Sequence, residues 1–77
     1  MKLTLYGRPE CHLCEALVAE LVPLLRDGIT IETVDVDSSV ALERRYGLRI
    51  PVLAAGEVEI SSYPLDRDRV QRFLDSL

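Results

Sequence analysis

The chain has 77 residues, a formal net charge of −4 at pH 7 and an apolar content of 48%. This length fits one small domain, and its apolar fraction is sufficient for a hydrophobic core. The acidic balance argues against nucleic-acid binding, which depends on neutralising phosphates. No run of about twenty apolar residues is present to span a membrane, and no signal peptide is recognisable before Gly7, so a cytoplasmic protein is expected.

The first predicted elements are a strand and a helix joined by a short turn. Residues 2–6 form an apolar run typical of a strand, and Gly7 begins the turn that ends it. Helical periodicity follows at once and predicts a helix over residues 11–26. Pro23 is expected to kink its last turn, and Gly28 is expected to end it.

The next two predicted elements are a strand over residues 29–36 and a short helix over residues 38–46. The apolar alternation of this strand changes phase near its end, which predicts either a bulge or a strand covered on both faces. Asp37 is the expected cap of the helix, and Gly47 is expected to stop it.

The last third predicts a hairpin followed by a helix. Residues 50–55 form an apolar strand that Pro51 can only open, and residues 57–60 alternate like an outer strand. Asp66 is expected to cap the final helix, whose apolar face comprises Val70, Phe73, Leu74 and Leu77. The order β-α-β-α-β-β-α predicts an α/β fold with a four-stranded mixed sheet and helices on both faces.

Two cysteines lie where the first strand passes into the first helix. Cys11 and Cys14 fall in the first helical turn, where free N–H groups and the helix dipole favour a thiolate, the reactive form of cysteine. Their spacing of three places both sulfurs on nearly the same helix face. A disulfide between them is therefore able to form and break without moving the fold.

Other chemistry for these cysteines fits less well. A structural zinc site needs further ligands, and the only histidine, His12, points off the cysteine face. A haem attachment needs histidine directly after the second cysteine, where Glu15 stands. A permanent disulfide closing so short a loop would constrain the unfolded chain little. A redox dithiol is the favoured interpretation, and no bound metal is expected.

Three segments of the sequence resemble the glutaredoxin branch of the thioredoxin superfamily. They are residues 5–14 with the dithiol, residues 46–52 ending in Ile-Pro-Val, and the Gly56 hairpin with the Asp66 helix. The chain is especially similar to short bacterial glutaredoxin-like proteins. This resemblance implies one thioredoxin-like domain over residues 1–77.

The resemblance also implies an activity and roles for particular residues. The chain would be a thiol–disulfide oxidoreductase that reduces protein or low-molecular-weight disulfides, with Cys11 as nucleophile and Cys14 as resolving thiol. Pro51 would be cis and packed against the sulfurs, and the backbone of Ile50 would pair with an extended substrate. A dithiol reductant is expected as partner, with no bound cofactor, no nucleic acid, no membrane and a monomeric state.

The sequence departs from the family at several positions. His12 and Leu13 replace a Pro-Tyr dipeptide, and His12 is either a modulator of the Cys11 thiolate or a solvated helix residue. Residues 61–64, Ser-Ser-Tyr-Pro, replace two glycines that hold the γ-glutamyl end of glutathione, so weak glutathione binding is expected. Arg49 replaces a threonine; it and Arg8 either contact an anionic partner or lie in solvent.

Two alternative functions follow from the same residues. One is a redox-inactive interaction module that keeps the fold. The other is a metal or iron–sulfur protein that uses Cys11 as a ligand, since soft thiolates suit such metals.

Overall fold

The computed structural model describes all 77 residues, Met1 to Leu77. The elements in chain order are β1 (Lys2–Gly7), α1 (His12–Leu21), β2 (Thr30–Asp35), α2 (Val40–Tyr46), β3 (Val52–Ala55), β4 (Val58–Ser61) and α3 (Arg67–Asp75). Short 3-10 turns, Val22–Leu24 and Val36–Ser38, follow α1 and β2. The predicted order of elements is confirmed, and none of the helices has the length and apolarity needed to cross a bilayer.

The strands form one mixed sheet in the order β2-β1-β3-β4. As predicted, β1 and β2 are parallel, and β3 and β4 form an antiparallel hairpin. The bulge predicted in the second strand is wrong, because β2 pairs with β1 in unbroken register. Neither is β2 covered on both faces: it is an edge strand that is largely exposed, so its residues need no strict alternation. The irregularity lies instead between Leu53 and Ala54, against β4.

Helices cover both faces of the sheet, as predicted. On one face the larger core contains Leu3, Leu5 and Leu53 with residues from α1 and α3. On the other face a smaller cluster joins Val36, Tyr46 and Val52, with Tyr6 against it. Because strand side chains alternate between faces, β1 supplies both cores, and its end is held from both sides.

The first helix is shorter than predicted. It ends at Leu21, not Arg26, and the chain tightens into a 3-10 turn that contains Pro23. Proline has no N–H to continue the helical ladder and its ring crowds the preceding turn. The apolar periodicity continued past this point because Leu24, in the 3-10 turn, and Leu25, with extended backbone, still pack against the core. Gly28 therefore ends no helix, and it lies in a turn with φ +85°.

The second helix begins later than predicted, and its cap is Ser39 instead of Asp37. The Ser39 hydroxyl accepts a hydrogen bond from the Leu42 N–H at 3.2 Å. Val36 is fully buried, so the polar residues after it form a separate turn, which is capped by Asp35. Its expected end at Gly47 is confirmed.

The third helix begins at the predicted cap. The Asp66 carboxylate accepts a hydrogen bond from the Arg69 N–H at 3.0 Å. Val70 and Leu74 are buried as expected, and Phe73 is half-buried. Leu77 is 63% exposed, because the helix ends two residues before it, at Asp75, so its predicted place on the apolar face is wrong.

Candidate functional site

The two cysteines lie at the carboxyl end of β1 and the start of α1. Cys11 is the N-cap residue with extended backbone, and Cys14 lies within the first turn. Their Cα atoms are 5.2 Å apart and their sulfurs lie at disulfide distance. The structure therefore brings the two cysteines together at the place that the sequence predicted.

The helix N-terminus directs a hydrogen bond at one of the two sulfurs. The Cys14 N–H donates to Cys11 Sγ with an N···S distance of 3.2 Å. In the reduced protein the same donor and the helix dipole would stabilise a thiolate on Cys11. Cys11 is partly exposed whereas Cys14 is only 8% exposed, so a substrate reaches Cys11 more readily.

Gly7 lies directly beneath the pair, a contact that no feature of the sequence indicated. A Cβ atom built on Gly7 would lie 2.7 Å from Cys14 Sγ, which is closer than real Cβ atoms approach. The residue is buried at the end of β1 and its φ is not in the left-handed region. Glycine is therefore needed here for space, not for backbone conformation.

The loop into the helix contains one strained residue. Glu10, directly before Cys11, has a φ of +60°, a conformation that is uncommon for residues with a side chain. No residue-type signal in the sequence pointed to it, because glutamate has no preference for this region. The turn at Glu10 carries the chain from the strand end to the helix cap at Cys11.

His12 points into solvent beside the dithiol. Its side chain is 97% exposed, and its Nδ1 atom lies 3.8 Å from the Glu15 carboxylate. Neither sulfur forms a hydrogen bond with the imidazole. The structure therefore supplies no contact between His12 and the reacting atoms.

Arg8 connects the dithiol loop to two distant segments. Its Nε donates to Asp37 Oδ2 and its Nη1 donates to the Gly47 carbonyl, both at 3.0 Å. The hydrogen bond to Asp37 raises the pKa of Arg8. The guanidinium thus holds the loop against the end of α2, only four residues before Pro51 in the chain. The anion that Arg8 contacts in the structure is Asp37 of the same chain, not a partner.

Arg49 is also paired within the chain. Its Nη1 lies 2.6 Å from Glu59 Oε1, and its Nη2 donates to the Arg45 carbonyl at 2.8 Å. The hydrogen bond from Arg49 lowers the pKa of Glu59. The Arg49 guanidinium also lies 5.5 Å from the centre of the Tyr46 ring, which stacks on Tyr6. Burial raises the pKa of Tyr46.

The segment before β3 has the predicted backbone. The Ile50–Pro51 bond is cis, which confirms that expectation, and Pro51 is fully buried. Ile50 is half-buried against the smaller core cluster, two residues before Val52, where β3 begins. An open groove of about 500 Å³ separates this segment from the loop before α3, and Tyr63 lines its far side.

Residues 61–64, which replace two glycines of the family, lie in a loop that is hydrogen-bonded to the start of α3. The Asp66 N–H donates to the Ser61 hydroxyl at 2.9 Å, and the Asp66 carboxylate caps α3. Tyr63 is 40% exposed, and the Tyr63–Pro64 bond is a second cis bond, which the sequence did not predict. Asp66 therefore acts as the helix cap that the sequence predicted.

The dithiol has no neighbouring set of metal ligands. Nowhere in the chain do three or more histidine, cysteine, aspartate or glutamate side chains lie together as a group that could hold a metal ion. A metal bound through Cys11 would therefore need ligands from outside the chain.

Comparison with known proteins finds one family model that covers nearly the whole chain. The family model of the glutaredoxin-like domain matches residues 2–75. The comparison with curated proteins found no match.

Two solved structures of one protein are similar to this chain over nearly its whole length. They are an X-ray and a solution structure of a Northeast Structural Genomics target protein from X. campestris, both 41% identical. The X-ray structure has a TM-score of 0.75 and covers 97% of each chain. The solution structure has a TM-score of 0.76 and covers 100% of this chain and 96% of that one.

A thioredoxin shares the fold at lower identity. Thioredoxin 1 from Thermosipho africanus is 19% identical, with a TM-score of 0.59 and coverage of 99% of this chain and 97% of that one. At this identity the likeness concerns the fold alone. The predicted thioredoxin-like fold, with its mixed four-stranded sheet and three helices, is confirmed.

Proposed function

The chain belongs to the glutaredoxin-like domain family and has a thioredoxin-like fold, and from this we propose that it is a thiol–disulfide oxidoreductase that reduces protein or low-molecular-weight disulfides. The observation that carries the proposal is the asymmetric pair at the α1 N-terminus. Cys11 is the accessible cap that accepts an N–H bond, and Cys14 is buried one turn later at disulfide distance. Such a pair supplies a Cys11 thiolate that attacks the substrate disulfide. It also supplies a second thiol, Cys14, that then displaces the substrate from Cys11.

The proposed reaction has two exchange steps. The Cys11 thiolate attacks one sulfur of the substrate disulfide, a Cys11–substrate disulfide forms, and the other substrate sulfur leaves as a thiolate and takes a proton. Cys14 then loses its proton and attacks Cys11 Sγ, which releases the second substrate thiolate and closes the Cys11–Cys14 disulfide. Two electrons pass to the substrate, and a dithiol reductant returns them to the protein. A reducing cytoplasm is the proposed location.

The other predicted site residues receive roles in this proposal. The backbone of Ile50 pairs with an extended substrate segment, beside Pro51. Arg8 and Arg49 border this region, but each guanidinium is bound by a carboxylate within the chain, so an anionic substrate would have to compete with that pairing. A modulating role for His12 has no hydrogen bond to a sulfur to support it, because the side chain is 97% exposed and lies beside Glu15.

A single-turnover experiment tests the proposed function. The reduced protein is mixed with hydroxyethyl disulfide, quenched with acid, and weighed by intact-mass spectrometry. We expect the protein to lose two hydrogens while one equivalent of disulfide is reduced. If the dithiol does not react, the protein is a redox-inactive interaction module. If the purified protein is coloured and holds a metal through Cys11, the metal-binding alternative is correct.

Glutathione is expected to be a poor reductant for this protein. Glycine allows a ligand close to the backbone, whereas side chains of Ser62 and Tyr63 occupy the corresponding loop, and Pro64 lacks an N–H donor. Asp66 is already bound as the helix cap. We expect turnover of a glutathione mixed disulfide, with glutathione and glutathione reductase, to be at least about tenfold slower than with a dithiol glutaredoxin, a loss equivalent to about one hydrogen bond. Comparable rates would show that the altered loop still forms a glutathione site.

A further inference from the structure

A groove of about 580 Å³ runs beneath α1 and ends at the dithiol. It lies between α1 and β2, on the opposite side of the dithiol helix from the Ile50–Pro51 segment, which does not line it. Its floor includes the apolar side chains of Leu5 from the sheet and Val18 from the helix. The groove exists because β2 is an edge strand that α1 does not fully cover, so that Thr33, opposite Leu5 in the register, remains exposed.

The inner end of this groove reaches the sulfurs. Gly7, Cys11 and Cys14 all line it. Because any side chain on Gly7 would collide with Cys14 Sγ, glycine at this position keeps the passage to the sulfur open. An occupant of the groove therefore lies next to the reacting atoms.

The rim of the groove is acidic. Glu10, Glu15 and Asp35 line it, and all three side chains belong to exposed residues. The only cation on the rim is Arg8, and Asp37 already neutralises it at 3.0 Å. The groove therefore presents an uncompensated negative edge above an apolar floor.

We propose that this groove binds a segment of the substrate protein that carries an aliphatic side chain flanked by lysine or arginine. The inference rests on the proposed function and names its substrate class. The aliphatic side chain fills the apolar floor, and the flanking cations lie against the carboxylates of the rim, which speeds encounter and fixes orientation. Glutathione, whose carboxylates outnumber its ammonium group, is repelled by the same rim.

Four synthetic disulfides test this specificity. They are homodimers of Lys-Leu-Cys-Lys and Glu-Leu-Cys-Glu, and the same peptides with serine in place of leucine, all with blocked termini. Second-order rate constants for oxidation of the reduced protein are measured by acid quench and mass spectrometry. Each rate constant is divided by the rate constant for reduction of the same peptide disulfide by dithiothreitol. This division corrects for the intrinsic reactivity of the peptide. We expect the lysine–leucine peptide to react about tenfold faster than the glutamate–leucine peptide at low ionic strength, with the ratio falling as salt is added.

Matched variants locate the effect in the groove. Glu15→Lys should lower the ratio of the rate constant with the lysine–leucine peptide to that with the glutamate–leucine peptide. The expected decrease is about threefold, the scale of one surface charge pair. Glu57→Lys makes the same change in net charge at the β3–β4 turn, at the far end of the sheet, and should leave the ratio as in the parent. Ala19→Phe narrows the groove from an exposed helix position. It should lower the rate constant with the leucine peptides relative to that with the serine peptides. Ala41→Phe, exposed on α2, is its control.

The outcomes separate this inference from the proposed function. If Glu15→Lys and Glu57→Lys change the charge preference equally, overall charge selects the peptide and the groove proposal is wrong. Equal rates with leucine and serine peptides would also overturn it, while reduction of hydroxyethyl disulfide would keep the oxidoreductase function. If neither the peptides nor hydroxyethyl disulfide oxidise the protein, the proposed function itself fails.

Discussion

Replacing Cys14 with serine is expected to arrest the protein as a mixed disulfide between Cys11 and its substrate. The first step needs only the Cys11 thiolate, whose N–H donor at 3.2 Å belongs to the Cys14 backbone and is retained in the variant. The second step needs the Cys14 sulfur, and a serine hydroxyl does not attack a disulfide under these conditions. Intact mass under non-reducing conditions should show the adduct, and peptide mapping should place it on Cys11.

The matched variant Cys11→Ser is expected to have the opposite result. Without the accessible sulfur no adduct should form, and reduction of hydroxyethyl disulfide should fall by at least about 10³-fold, the scale on which loss of a covalent nucleophile acts. Cys14 does not replace it, because it is buried within the helix turn and is only 8% exposed. An adduct on Cys14 in this variant would mean that the roles of the two cysteines are reversed. In a cell extract, the partner trapped by Cys14→Ser would identify the substrate.

The parts of this site that could be predicted from the sequence depend on local signals. The end of β1 at a turn, the immediate helical periodicity and the spacing of three residues together place Cys11 and Cys14 in the first turn of α1. All of these signals come from neighbouring residues. The Asp66 cap and the hairpin at Gly56 were predictable for the same reason, since capping and turn chemistry involve residues only a few positions apart.

The parts that could not be predicted depend on contacts between distant segments. Arg8 binds Asp37 and the carbonyl of Gly47, which are 29 and 39 residues away in the chain. The acidic groove requires β2 to be an edge strand, which its apolar content did not indicate. The end of α1 was mispredicted because Leu24 and Leu25 pack against the core without continuing the α-helix.

Gly7→Ala is the second variant for which we expect a large effect. The new methyl group would lie 2.7 Å from Cys14 Sγ in a buried site, so either the strand or the sulfur must move. Overpacking of this kind costs about 1–3 kcal/mol. In a domain of this size, each kcal/mol lowers the melting temperature by about 4–8 °C. Thermal unfolding followed by circular dichroism would measure this loss.

A double-mutant cycle with Cys14→Ala shows whether the sulfur is responsible. In that background the nearest atom to the new methyl is the Cys14 Cβ at 3.6 Å, an ordinary contact, so most of the cost of Gly7→Ala should disappear. In the parent the cost should be larger when the pair is oxidised, because the bond to Cys11 prevents the sulfur from turning away. The disulfide form is then destabilised more than the dithiol form, and the reduction potential of Gly7→Ala should be higher than that of the parent. If Gly7→Ala destabilises the oxidised, reduced and Cys14→Ala proteins equally, the Cys14 sulfur is not the reason for glycine at this position. The packing of the strand would then be the reason.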